Sequence, residues 1–467
     1  MRDMHRQTPT ARFRPVTVSA VGRRFRGWLA FAVVVALSAA LLVLAHWPAS
    51  YPVAGPNRSL VEGRPVPAQG PSDAGDQAVA HESEVEDLLA RRAGAILRRS
   101  EAEFMATVDP QAAPAFIAAQ RALFRNLDTV PLSHWSYQLD KSESLPVPQQ
   151  LLGTADYWAP RTTLRYALRG VDAEPTSRSM AYLYVRRAGQ WFLASDTALQ
   201  PQGETTWRGM WDFGPCRVLV VGDSLVLGHT GAGEEALRQL AGEISGAVAS
   251  VTQVWGTGWP QRVAVLVPKT VDEMRALVGP AFNVDGIAAA AVADKVDVAN
   301  QVALGQRVVL NPALAGRLSV PARRIVLRHE ITHVAARAST VDGAPMWLLE
   351  GFADYIGYRD SGLQPQEAAP DLVRALRAGD PPQRLPVAAD FAGGSGNLDL
   401  TYQLAWSAAL YVVDLAGEDG LVKLYRMIAS DLSQDDATVA DAMRAVLGVD
   451  VGSFVAGWLG SLPPRFG

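Results

Sequence analysis

His329 and His333 stand four residues apart, with Glu330 directly after the first of them, inside a stretch that reads as one helix. The run Val320-Pro321-Ala322-Arg323-Arg324-Ile325-Val326-Leu327-Arg328 leads into it, with Pro321 in the first turn, where proline starts helices well. Positions four apart on a helix differ by about 40° of rotation, so the two imidazoles project side by side, as they must to share one tetrahedral metal. Glu330 is turned by about 100° from His329, too far round to be the natural third ligand. It is close enough to meet a water held by the same ion.

A second helix follows within reach. Gly343-Ala344-Pro345 breaks the chain, and Met346-Trp347-Leu348-Leu349-Glu350-Gly351-Phe352-Ala353-Asp354-Tyr355-Ile356 begins again. Glu350 lies in an apolar stretch, where an unpaired carboxylate is costly to bury and a metal resolves that cost. Asp354 is four residues on, hence on the same face. It suits a carboxylate that orients a ligand histidine through the other ring nitrogen. The competing reading is a buried carboxylate pair held by arginines.

HEITH followed, after sixteen intervening residues, by Glu350 within WLLEGFADYIG resembles the gluzincins, the two-histidine-one-glutamate zinc peptidases, and most closely their peptidase-MA-like branch. The resemblance covers residues 212–467. It implies a zincin-like domain with Zn2+ held by His329, His333 and Glu350. Glu330 would be the general base that takes a water's proton, and Asp354 the group behind a ligand histidine. The spacing to Glu350 is slightly shorter than in thermolysin or the aminopeptidase N type, so the loop from Arg337 to Ala344 is expected to differ. Thr401-Tyr402-Gln403-Leu404-Ala405-Trp406 resembles a later helix of the aminopeptidase branch, which implies that Tyr402 steadies the oxyanion. A tyrosine merely packed at a helix start is the other reading; Tyr355, Tyr358, Tyr411 and, more remotely, His229 are alternatives for the role. No GxMEN-like segment for a substrate's free amine is present. Gly286 to Val292 reads either as the edge strand along which a peptide substrate lies or, from its alanines, as helix.

The chain's beginning speaks to location. Arg2, Arg6, Arg12, Arg14, Arg23, Arg24 and Arg26 face one acid, Asp3, and an uncharged run from Gly27 to Trp47 follows. That run is about 21 residues, roughly 31 Å as a helix, which suffices to cross a hydrocarbon core. Trp28 and Trp47 sit where interfacial aromatics belong, and the arginines predict a cytoplasmic N-terminus. The reading is a basic tail (1–26), a transmembrane helix (27–47) that anchors the chain, a Pro/Gly-rich linker (48–80), and everything beyond outside the cytoplasm. A cleaved secretory signal has a shorter apolar core and a small-x-small site, which Ala45-His46-Trp47 does not offer. Both readings put the rest of the chain on the same side.

Composition narrows the rest. Lys plus Arg is 43 against 47 Asp plus Glu, so nothing asks for a nucleic-acid partner, and a single cysteine, Cys216, excludes a disulfide framework or a Cys-built metal site. Residues 81–205 read as helices from His81 and from Pro114 to Leu127, then period-two strands around Trp135–Leu139, Thr163–Leu168, Met180–Val185 and Trp191–Leu193. Residues 186–190 read as a turn between the last two. That order resembles the cone-shaped nuclear-transport-factor-two-like domain and makes an accessory α+β unit. Residues 211–467 read as a small sheet-bearing half (strands at 216–221, 262–267 and 307–310, helices at 234–254 and 271–278) and a helical half from Pro321. The fold class is α+β. The function expected is a membrane-anchored extracytoplasmic zinc metallopeptidase acting on a peptide or protein. The alternative is a non-catalytic extracytoplasmic binding or scaffolding protein that keeps a zinc site.

Overall fold

The computed structural model describes residues 73–467, apart from residues 232, 280–283, 285–286, 392–396 and 434. The expected basic tail, membrane span and most of the linker, together with Gly286, lie outside the described residues. Among the described residues no single helix is long and apolar enough to cross a membrane. The pair Asp436–Leu447 and Val451–Phe466, bent by 62°, passes by length and composition, but its Met443, Phe454 and Trp458 are buried in the core.

Helix α1 (Asp73–Leu97) begins earlier than expected and buries Val85, Leu88, Leu89 and Ile96, one face at helical spacing. A short helix (Glu101–Met105) and α2 (Pro114–Asn126) follow. The chain then turns to strands: β1 (Leu132–Ser144), β2 (Asp156–Trp158), β3 (Pro160–Leu168), β4 (Thr176–Met180), β5 (Leu183–Arg187) and β6 (Gln190–Ser195). They form two three-stranded antiparallel sheets, β1-β3-β4 and β2-β5-β6. Trp158 faces Tyr184 and Thr162 faces Met180, so one register runs through both sheets, interrupted where β2 gives way to β3 and β4 to β5. The expected turn after β5 is tight: Ala188 and Gly189 both take positive φ (48° and 83°), which matches the twist of the flanking strands.

The following sheet has the order β10-β13-β9-β8-β7. Its strands are β7 (Cys216–Val221), β8 (Ser224–His229), β9 (Ala264–Leu266), β10 (Ala289–Val292) and β13 (Arg307–Leu310), with the hairpin β11 (Lys295–Asp297) and β12 (Val302–Leu304) between the last two. Strand β10 is antiparallel to β13 and stands at the sheet's edge, which resolves the open reading of the alanine run in favour of strand. Helix α3 (Glu234–Trp255) buries Leu237, Leu240, Ile244 and Val251, and α4 (Val271–Val278) is short.

The helical half opens with α5 (Val320–Ala336), capped by Ser319, and α6 (Met346–Tyr358). Helices α7 (Pro370–Arg377), α8 (Leu398–Ala429), α9 (Asp436–Leu447) and α10 (Val451–Phe466) complete it. Gly417 breaks α8 with φ 73°, a conformation that favours glycine. Helix α6 packs against both α5 and α8, which places the two expected site helices side by side, and α5 also packs against strand β10.

Candidate metal centre

Helix α5 is buried along nearly its whole second half, and His329, Glu330 and His333 are 1%, 2% and 3% exposed. Helix α6 lies across it. Gly357 lets this happen: a Cβ there would come within 3.1 Å of the Ile325 carbonyl oxygen on α5. The approach brings fully buried Glu350 against both histidines. His329 Nε2 is 3.3 Å from Glu350 Oε2, His333 Nε2 is 3.5 Å from the same oxygen, and the two Nε2 atoms are 3.0 Å apart.

Those separations fit one ion. Zinc bonds of 2.0–2.1 Å in a tetrahedral shell put donor atoms about 3.3 Å apart. Both Glu350 oxygens are buried without a hydrogen-bond partner, a condition a bound cation relieves. His329 Nδ1 lies 2.8 Å from Asp354 Oδ1, so the carboxylate accepts the Nδ1–H and leaves the Nε2 lone pair facing the centre. No arginine pairs with Glu350 or Asp354 among the described residues; the partners are the histidines. The two-histidine, one-carboxylate donor set suits zinc.

The electrostatics favour positive charge at this point. Burial opposes the His329 imidazolium, but the Asp354 and Glu350 carboxylates outweigh it and hold its pKa well above the usual histidine value. Burial lowers the pKa of His333. Burial works against the Glu350 carboxylate, yet the histidines hold its pKa below the ordinary value.

Glu330 sits next to the donor set with Oε2 buried and unpartnered. Its carboxylate accepts the backbone N–H of Ala291 on edge strand β10. Burial, reinforced by the charge of Glu350, pushes its pKa up to about 8 against the opposing influence of His329. Tyr402, near the start of α8, is 3% exposed and packs edge-on against Phe391, 5.2 Å between ring centres. Its hydroxyl is buried without a partner, and burial together with the charges of Glu350, Asp354 and Glu330 raises its pKa far above 10.

The other tyrosines and His229 stand elsewhere. Tyr355 donates its hydroxyl to Glu418 at 2.8 Å, Tyr358 packs at a tilt against Trp406, and Tyr411 does so against Phe454. His229 is paired with Glu273 at 2.5 Å in the sheet-bearing half. Sequence reasoning missed the Ala291 N–H. A backbone donor has no residue signature, and only the edge position of its strand makes it available.

No protein-family model matches the chain, and no curated protein does. Among solved structures the chain is similar to a two-domain M1 zinc metallopeptidase, a glutamate-to-alanine variant bound to L-arginine, at 14% identity and a TM-score of 0.33 over 61% of this chain and 60% of that one. It is similar as well to an M1 zinc metallopeptidase from Deinococcus radiodurans, again as a glutamate-to-alanine variant, at 14% identity and a TM-score of 0.30 over 61% of each chain. A third structure, that variant bound to a Tyr-Ser-Ala substrate, matches at 15% identity and a TM-score of 0.31, over 61% of this chain and 60% of that one. The match thus spans less than two thirds of those chains' length.

Proposed function

We propose that this chain is a zinc-dependent metallopeptidase, anchored through residues 27–47 with its site on the extracytoplasmic side. The observation that carries the reading is the convergence of His329 Nε2, His333 Nε2 and Glu350 Oε2 beside two buried, unpartnered groups, Glu330 Oε2 and the Tyr402 hydroxyl. A zinc ion held by those three donors supplies Lewis acidity and makes a water acidic enough to be a nucleophile near neutral pH.

The chain's own groups do the rest. Glu330 takes the attacking water's proton at Oε2, while the Ala291 N–H fixes the orientation of its carboxylate. The same carboxyl hands that proton to the leaving amine. The Tyr402 hydroxyl, kept protonated by burial and by its carboxylate neighbours, donates to the oxygen on which negative charge develops. Asp354 keeps the His329 proton on Nδ1.

Two variants of the full chain test this. Glu330→Gln retains zinc and loses hydrolysis of a peptide library by about 10²–10⁴-fold, the worth of a positioned base. His333→Ala loses zinc and activity together. Undiminished hydrolysis by Glu330→Gln would refute the mechanism. Protease shaving of intact cells checks the orientation, since residues 81–467 are digested only if they face outward.

A further inference from the structure

Strand β10 is held from outside its own sheet. It pairs with β13 on one side only, and on its free side the Ala291 N–H reaches Glu330. Just beyond its last residue, Asp294 is ion-paired with Arg178 and accepts the hydroxyl of Thr176, both on β4 of the preceding α+β unit. Across the ladder, Arg307 stands opposite Val292 and makes a forked pair with Asp172, Nη1 to Oδ1 at 2.8 Å and Nη2 to Oδ2 at 2.7 Å. Asp172 lies in the connection between β3 and β4, and both partners are almost fully buried. The Arg178 guanidinium rests over Trp207 at 4.8 Å and that of Arg307 over Tyr166 at 5.8 Å. Gly305 leaves the room: a Cβ there would come within 2.5 Å of both Asp294 Cγ and Thr176 Oγ1.

Two ion pairs thus join the units at the same end of the β10–β13 ladder. Elsewhere Asn126 and Thr129 bond the Trp211 and Cys216 carbonyls, and Arg208, in the connection between the units, bridges Asp196 and Asp212, far from β10 in sequence. Buried ion pairs are poor sources of net stability, since apolar side chains of similar volume often do as well. A forked arginine–carboxylate pair does supply geometry, because two parallel bonds fix distance and angle together. Ala291 is one residue from Val292 and three from Asp294, so a shift at the clamp reaches its N–H with little slack.

We propose that Asp172 and Arg178 are positioning residues: the β3–β4 hairpin of the accessory unit sets where β10 lies against helix α5, and with it the N–H that orients Glu330. The role in turnover rests on the peptidase reading; the role in placing β10 does not. The test uses the zinc-loaded full chain with Asp172→Asn, Arg178→Gln and, as control, Asp109→Asn. Buried Asp109 and the partly exposed Arg187 form an equally forked pair inside the accessory unit, both contacts at 2.8 Å, with no link to β10.

Asp172→Asn and Arg178→Gln are expected to keep zinc, lower kcat by about 10–100-fold with KM changed less than about threefold, and speed amide exchange over 289–292, as small displacements of catalytic groups do. Asp109→Asn leaves kcat and that exchange alone, whatever it does to melting temperature. Unchanged kcat and exchange in both clamp variants, or an equal fall in kcat for Asp109→Asn, overturns the proposal. If Asp172→Asn fails to fold, Arg178→Gln, whose side chain is partly exposed, decides alone. If the wild type hydrolyses no peptide, the peptidase reading falls and exchange decides: unaltered protection at 289–292 in the clamp variants still overturns the brace.

Discussion

Gly351 follows Glu350, the proposed metal ligand, on helix α6 and faces helix α8 at the turn that carries Tyr402. A Cβ at this position would lie 2.8 Å from the Ala405 carbonyl carbon, nearer still to its oxygen, and 3.3 Å from the Ala409 Cβ. Ordinary carbon contacts are about 3.5–4.0 Å, so Gly351→Ala requires α8 to retreat by about 1 Å at Ala405. A backbone carbonyl inside a helix cannot rotate out of the way, and overpacking of this kind costs about 1–3 kcal/mol. Alanine returns about 1 kcal/mol of helix propensity, leaving a net loss of up to about 2 kcal/mol. For a unit of this size that is a fall of up to about 8 °C in Tm. Gly242, mid-helix in α3, is the control, since an added Cβ meets nothing within 4 Å there. Gly242→Ala should therefore gain stability by about 0.5–1 kcal/mol. Thermal unfolding of the two variants, followed by circular dichroism, should give shifts of opposite sign. Shifts of the same sign would refute the argument that the α6–α8 approach depends on glycine.

Tyr402→Phe should lower kcat by about 10²-fold, the usual worth of one oxyanion donor. It should not lower Tm, because the lost hydroxyl has no partner to leave behind; a stability loss beside unchanged kcat would make Tyr402 a packing residue. Asp354→Asn removes the charge behind His329 and should weaken zinc binding about 10–100-fold in chelator competition. Cys216 is buried, and burial pushes its thiol up to about 12, so at pH 8 a thiol reagent should label it only as fast as the protein unfolds. Rapid stoichiometric labelling of the folded chain would contradict that placement.

What the sequence discloses about the site and what it hides divide along a physical line. His329, His333 and Glu330 are legible because a helix fixes their relative directions, and Glu350 because an apolar run makes its carboxylate costly. Both statements are local. Strand β8 escapes the reading: all six of its residues are buried, so it has no polar–apolar alternation to see. The hairpin β11–β12 is too short to show a period. Ala289–Val292 is strand because β13 pairs with it, since its alanines suit a helix equally well. The pairs Arg307–Asp172 and Arg178–Asp294 join residues more than a hundred positions apart, and no single sequence records which arginine meets which aspartate.

The rival to a peptidase is a scaffold that keeps zinc for its fold, and the two require different shells. Structural zinc sites are closed, with four protein donors, whereas catalytic ones keep a position open. Here the donor group has three members among the described residues, all buried: His329, His333 and Glu350. Beside them lie two further polar groups, and neither has a hydrogen-bond partner: Glu330 Oε2 and the Tyr402 hydroxyl. Each such orphan costs a fold about 1–3 kcal/mol relative to an apolar side chain of the same shape. A scaffold draws no return on that expense, and phenylalanine at position 402 would remove it there. In a hydrolytic site the same two groups are the ones that must stay unpaired, because a water's proton and a carbonyl oxygen are still to arrive. If the scaffold reading held, Glu330→Leu would keep zinc and leave the chain's role intact. On the peptidase reading it also keeps zinc but abolishes turnover, so turnover alone separates the two.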